Sequence, residues 1–125
     1  MIWKFAGNTP VYQQIMEQIE GAVLAGVYTP GQRIPSVREL AMEAQVNPNT
    51  MQHALQELER TQLLVTLGTS GRFVTERQEV LDAFRAEKLM DLTAQFAERF
   101  LVLGVSVSEA INLLQKYENE RVNDK

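Results

Sequence analysis

"IPSVRELAMEAQVNPNTMQHALQEL", residues 34–58, holds two short helical patterns with only about three residues between them. The first opens at Ser36-Val37-Arg38-Glu39, an S-x-x-E capping box in which serine and glutamate satisfy each other's orphan backbone donors. Val37, Leu40, Ala41 and Ala44 follow at i, i+3, i+4 and i+7, predicting a helix of about two and a half turns. Asn47-Pro48 then repeats the start signal: the asparagine can cap, and proline at the first helical position gives up an N–H that has no partner there. Val46 and Met51 are spaced as a hydrophobic staple. Met51, Ala54, Leu55 and Leu58 form the inward stripe. Two helices with so short a connection must cross steeply, which is the helix-turn-helix arrangement.

At about 100° per residue, Asn49, Gln52, His53 and Gln56 fall opposite that stripe. A helix face that merely meets water usually carries lysine and glutamate, whereas this one carries amides and an imidazole. Side-chain amides offer a donor and an acceptor together, matching adenine N6 and N7 in the major groove, and Thr50 can reach a phosphate or a base. The plain alternative is a solvated polar face. Position favours DNA, because this helix follows a tight turn and exposes its amides in its N-terminal half, where groove-reading residues sit.

The flanking sequence completes the pattern. Thr9-Pro10 reads as a helix start, with Val11, Ile15, Ile19 and Val23 at helical spacing and an expected end near Ala25-Gly26. After Arg60 the β-prone runs "LLVTL" and "RFVT" flank Gly68-Thr69-Ser70-Gly71, a turn signal that predicts a hairpin. Helix-turn-helix followed by a hairpin is the winged-helix order. From Arg77 onward helix returns on Leu89, Leu92, Phe96, Phe100 and Leu103; Gly104 stops it, and Ser106-Val107-Ser108-Glu109 opens a last helix, with the tail "ENERVNDK" expected to fray. The expected architecture is mainly α with a small β-hairpin. Residues 1–76 form a winged helix-turn-helix DNA-binding domain and residues 77–125 a two-helix dimerisation hairpin.

Composition narrows the function. Without cysteine there is no disulfide, thiolate catalysis or cysteine-ligated zinc, and a single histidine, His53, leaves no paired-histidine metal site. No catalytic residue, metal or cofactor is assigned. An enzyme would have to rest on acids such as Glu39 and Glu43, one turn apart on an apparent solvent face and common there for solubility alone. No apolar run is long enough to span a bilayer, and "MIWKFAGNTP" lacks the basic-then-apolar order of a signal peptide, so a cytoplasmic protein without membrane contact is expected. Net charge is −4, and residues 1–76 hold five Lys or Arg against seven Asp or Glu. A broad polyanion footprint is therefore disfavoured. Arg33, Arg38 and Arg72 could clamp the DNA backbone on both sides of the groove, provided that Glu17, Glu20, Glu57 and Glu59 point away.

These residues carry a likeness. "PVYQQI" at 10–15, "PGQRIPSVRELA" at 30–41, "VNPNTMQHALQELE" at 46–59 and "GRFV" at 71–74 resemble bacterial transcription regulators of the GntR family, and the short helical remainder resembles its YtrA-type subfamily. The resemblance implies DNA contacts from Arg38, Asn47, Asn49, Thr50 and Gln52, with the wing contributing near Gly68 and Arg72. It also implies that the helical hairpin serves dimerisation. Gln45 stands where a turn glycine is frequent, the wing has two residues between Gly68 and Gly71 where one is common, and Pro48 and Gln52 occupy positions often filled by arginine.

A two-helix hairpin leaves one apolar side of each helix uncovered, and Phe84, Leu92, Phe96, Phe100, Ile111 and Leu114 are the candidate dimer surface. The alternative cover is the winged domain of the same chain. The expected partners are double-stranded DNA and a second copy in a homodimer, bound at a near-palindromic operator. Occupying a promoter makes the chain a repressor, with activation the alternative. A small-molecule effector of unknown identity, in a cleft between hairpin and winged domain, is left open and unassigned. The rival function is a winged-helix protein-interaction adapter without DNA binding, which replacement of Asn49 and Gln52 would leave intact.

Overall fold

Met51, Ala54, Leu55 and Leu58 are all fully buried on one side of a single helix, and the N-terminal part of the chain is assembled around that stripe. The structure, a computed structural model, describes residues 1–123. The chain divides into two compact units, Met1–Ala83 and Phe84–Lys125. The first holds α1 (Val11–Leu24), α2 (Val37–Ala44), α3 (Pro48–Arg60), β1 (Leu64–Thr66), β2 (Arg72–Val74) and the start of α4 (Gln78–Val102). The second holds the rest of α4 and α5 (Val107–Asn123).

The core of the first unit follows the sequence periodicities. Ile15, Ile19 and Val23 of α1, Leu40, Ala41 and Ala44 of α2, and the α3 stripe are buried with Leu63, Leu64 and Val74. Leu81 adds the first turn of α4 to the same unit. Val11 departs from the expectation and is 41% exposed. It is the first residue of α1, whose capping position is Pro10 rather than Thr9: no side chain caps, and the Pro10 carbonyl accepts from the Gln13 and Gln14 amides at 3.1 and 3.3 Å. The helix ends at Leu24, with Ala25 as its C-cap, slightly short of the expected Ala25-Gly26.

Both start signals in residues 34–58 work as read. Ser36 Oγ accepts from the Glu39 amide and Glu39 Oε1 accepts from the Ser36 amide, each at 3.2 Å. Asn47 Oδ1 accepts from the Asn49 amide at 2.8 Å, and Pro48 is the first residue of α3. Between the helices Gln45 adopts φ 57°, ψ 47°, the left-handed conformation, and the Val46 amide returns to Ala41 O at 3.0 Å. A left-handed residue just past a helix end frees the chain to turn sharply, which is why glycine favours that place.

The wing is an antiparallel hairpin with Leu64 opposite Val74 and Thr66 opposite Arg72. A third segment, not anticipated from the sequence, lies beside it. The Gly31 amide donates to Val74 O, the Val74 amide to Gln32 O and the Ile34 amide to Arg72 O, and Arg33 bridges Phe73. The chain entering α2 is thus tied by backbone bonds to the outgoing wing strand.

Residues 1–9 are likewise tied to α1, through two glutamines one turn apart. Gln18 accepts from the Lys4 amide and donates to Lys4 O; Gln14 does the same with Ala6 and donates also to Thr9 O. Each side-chain amide therefore bonds both the N–H and the C=O of one residue of this arm. These bonds let Gln14 be buried without an unmet polar atom.

In the second unit Gly104, at φ 76°, closes α4, and Ser106 Oγ accepts from the Glu109 amide at 3.1 Å to start α5. The expected fraying of "ENERVNDK" is not found over residues 118–123, which are helical; Asp124 and Lys125 lie outside the described residues. Among the described residues of this unit, Ala110 alone is buried. Its apolar side chains are therefore largely uncovered within the unit.

Gln45 offers a direct check on the turn. A left-handed L-residue costs about 1–2 kcal/mol, of which glycine's extra freedom in the unfolded chain returns about 0.5–1 kcal/mol. Gln45→Gly is expected to stabilise the protein by about 0.5–1 kcal/mol, read as a higher urea midpoint. An unchanged or lower midpoint would contradict the turn geometry.

Candidate nucleic-acid interface

Burial of its stripe fixes how α3 is rotated, and this divides its polar residues into three sets. Asn49 and Gln56 have exposed side chains at the centre of the outward face. His53 is exposed but stacked on Tyr12 of α1, with ring centroids 4.2 Å apart and planes 24° from parallel. Gln52 is half-buried on the other flank, where its Oε1 accepts from the Arg72 guanidinium of β2 at 3.4 Å. Thr50 is half-buried, and Asn47 is exposed while its oxygen serves as the helix cap. The four residues at matching helical spacing are thus not equivalent.

Cations gather beside this face. Arg33, Arg38 and Arg72 all line one cleft of about 440 Å³, which also takes in Ser36, Thr66 and Gly71. Backbone pairing of residues 31–34 with β2 brings Arg33 to the wing. A Cβ on Gly71, which has φ 113°, would lie only 2.8 Å from Arg33 Nε, so this glycine lets Arg33 cross the base of the wing. Gly68, at φ 56°, lies in the exposed wing loop, where the Ser70 amide donates to Leu67 O and the Leu67 amide to Gly71 O.

The acidic residues are disposed in several ways. Glu57 accepts from Arg60 at 2.8 Å. Glu59 of α3 forms an ion pair with Arg72 of β2. Glu20 is buried in α1. The Ser36 backbone N–H, and then its hydroxyl, hold the Glu39 carboxyl below the ordinary glutamate range, with Arg33 lowering it further. The Glu39 carboxylate is therefore engaged by the start of α2.

Three contributors escaped the sequence reading. Tyr12 lies 41 positions from His53, Glu59 13 positions from Arg72, and the third wing segment pairs across about 40 residues. No local spacing encodes such partners. Only "PVYQQI" had drawn attention to Tyr12, and for its likeness rather than for a contact.

The second unit carries an apolar cleft of about 300 Å³ lined by Leu89, Leu92, Phe96, Phe100, Ile111 and Leu114 among others. Leu92, Phe96, Ile111 and Leu114 are each about half exposed, while Phe84 and Phe100 are partly covered. Among the described residues no cluster of acids and histidine could hold a metal ion, and no helix is long and apolar enough to cross a membrane.

Comparison with known proteins bears on both units. Residues 11–74 match the family of bacterial regulatory proteins described as the gntR family. The chain is 30% identical to the uncharacterized HTH-type transcriptional regulator YhcF of Bacillus subtilis over 114 residues, covering 91% of this chain and 94% of that one. It is 44% identical to the HTH-type transcriptional repressor YtrA of the same organism over 69 residues, 55% of this chain and 53% of that one. A GntR family regulator from Listeria monocytogenes superposes with a TM-score of 0.83 at 32% identity, over 90% of this chain and 98% of that one. The DNA-binding domain of AraR in complex with operator ORX1 gives 0.55 at 29% identity, over 60% of this chain and 96% of that one.

Proposed function

Because the chain belongs to the GntR family of bacterial regulatory proteins, with YtrA-type relatives, we propose that it is a repressor that binds a near-palindromic operator as a homodimer. It is a transcriptional regulator with a winged helix-turn-helix and not an enzyme.

The observation that carries the reading is the outward face of α3, where Asn49 and Gln56 stand exposed between the cleft of three arginines and the Tyr12–His53 stack. Amides reach base edges, whereas arginines at α2 and the wing meet phosphates; the first reads sequence and the second positions the helix. In this reading Asn49, Gln52 and His53 face bases. Arg33, Arg38, Thr50 and Arg72 face the backbone, with Asn47 and the Gly68 turn alongside. The AraR operator complex supports it, since a similar domain is there solved on its operator.

The dimer rests on the second unit. A pair of helices with so little of itself buried and an open cleft of about 300 Å³ gains by covering Phe84, Leu92, Phe96, Phe100, Ile111 and Leu114. A second copy related by a two-fold axis meets the same surface with the same surface. Two recognition helices would then address half-sites about 34–36 Å apart, one turn of DNA. Seating a dimer on a promoter blocks transcription, which is the sense of repression here.

Two outcomes test this. Repeated selection from a pool of random duplexes should yield a near-palindrome with half-sites about one turn apart, and Asn49→Ala combined with Gln52→Ala should abolish that enrichment while the protein stays folded. An unenriched wild-type pool, or enrichment untouched by the double substitution, would favour a protein-interaction adapter. In sedimentation, Phe96→Asp should turn a dimer into a monomer; a dimer that survives it would place the interface elsewhere.

A further inference from the structure

Gln52 is the only member of the amide face whose side chain has a charged partner among the bonds described above, and that partner is itself held. The Arg72 guanidinium uses Nε for the Glu59 carboxylate and one terminal nitrogen for Gln52 Oε1, 3.4 Å away. Gln52 and Glu59 lie two turns apart on α3, so they present to the same flank, and Arg72 reaches both from β2. The Arg72 and Glu59 side chains are only 18% and 30% exposed, which protects their pairing from screening by salt.

We propose that Arg72 and Glu59 are positioning residues that fix the direction of the Gln52 side-chain amide, making Gln52 a reader of acceptor edges, guanine or thymine, rather than of adenine. The inference rests on the DNA-binding reading above and goes further by naming what one position selects.

The argument is one of donor and acceptor inventory. A guanidinium donates and cannot accept, so the amide atom that faces Arg72 must be the carbonyl oxygen. Reversing the amide would set its NH₂ group against a cation that offers only N–H. With the oxygen turned to the wing, the NH₂ at the opposite corner is what Gln52 offers away from the wing. An unconstrained glutamine recognises adenine by accepting from N6 while donating to N7, which needs both corners in the groove. With only donors on offer, guanine N7 and O6 or thymine O4 match best, adenine keeps its N7 acceptor but sets the N6–H donor beside it with nothing to accept it, and cytosine N4–H is excluded. Glu59 enters no base contact in this scheme. It keeps Arg72 over Gln52.

The test uses the full-length protein and its selected operator. The half-site position that Gln52 reads is identified as the one whose preference collapses in Gln52→Ala. Wild type is expected to choose guanine or thymine there on the contacted strand. Arg72→Met releases the amide, and the ratio of adenine to guanine affinity at that position should rise about fivefold or more, with other positions unchanged and overall binding weaker. Glu59→Ala should move the same ratio in the same direction while overall binding strengthens. Wild type choosing adenine, or a ratio unmoved by both substitutions, would overturn the inference and leave the DNA-binding reading standing. A wild-type pool that never enriches would overturn both.

Discussion

Everything at the candidate interface depends on the burial of one stripe of α3. Met51, Ala54, Leu55 and Leu58 leave no freedom in how the helix rotates, since turning any of them outward would uncover apolar surface worth about 1.5–3 kcal/mol per large side chain. Once that rotation is fixed, Asn49 and Gln56 must face outward and Gln52 and His53 must fall on opposite flanks. The flanks are then occupied by what packs beside α3: Tyr12 from α1 on one side, Arg72 from the wing on the other. A packing constraint thus becomes a chemical one, because it decides which polar groups are available and which are engaged.

The acidic balance of the chain acquires a physical meaning in this arrangement. Residues 1–76 hold fewer cations than anions, and two of the five cations, Arg60 and Arg72, are ion-paired with neighbouring glutamates. Such a domain has little to offer DNA of arbitrary sequence, where affinity comes from phosphates neutralised by Lys and Arg. Binding must then draw on base contacts for a large share of its strength. The placement of Arg33 and Arg38 beside the start of α2, where Ser36 already engages the Glu39 carboxylate, concentrates positive charge at one cleft instead of spreading it over a face.

Much of the fold could be read from local sequence because its signals are local. The capping box at Ser36, the Asn47-Pro48 start and the four-residue stripe each act within a turn or two of helix, and each appears as expected. What could not be read depends on contacts between distant residues. The third wing segment at Gly31–Ile34 has no periodicity of its own and is placed by its backbone bonds to β2. The arm before α1 is ordered by side-chain amides of Gln14 and Gln18 that look like ordinary surface glutamines in the sequence. Of the residues proposed to meet DNA, type and exposure were legible for Asn49, whereas the engagement of Gln52 by Arg72 and of His53 by Tyr12 required the fold.

The most direct measurement is the salt dependence of affinity for a selected operator and for a random duplex of the same length. If base contacts from α3 carry specificity and Arg33, Arg38 and Arg72 of two copies carry the phosphate contacts, the operator should show a log–log slope no steeper than about −5. The operator's advantage over random DNA should also persist as salt rises. Equal affinity for both duplexes at every salt concentration, or a far steeper slope shared by both, would contradict a sequence-reading role for α3.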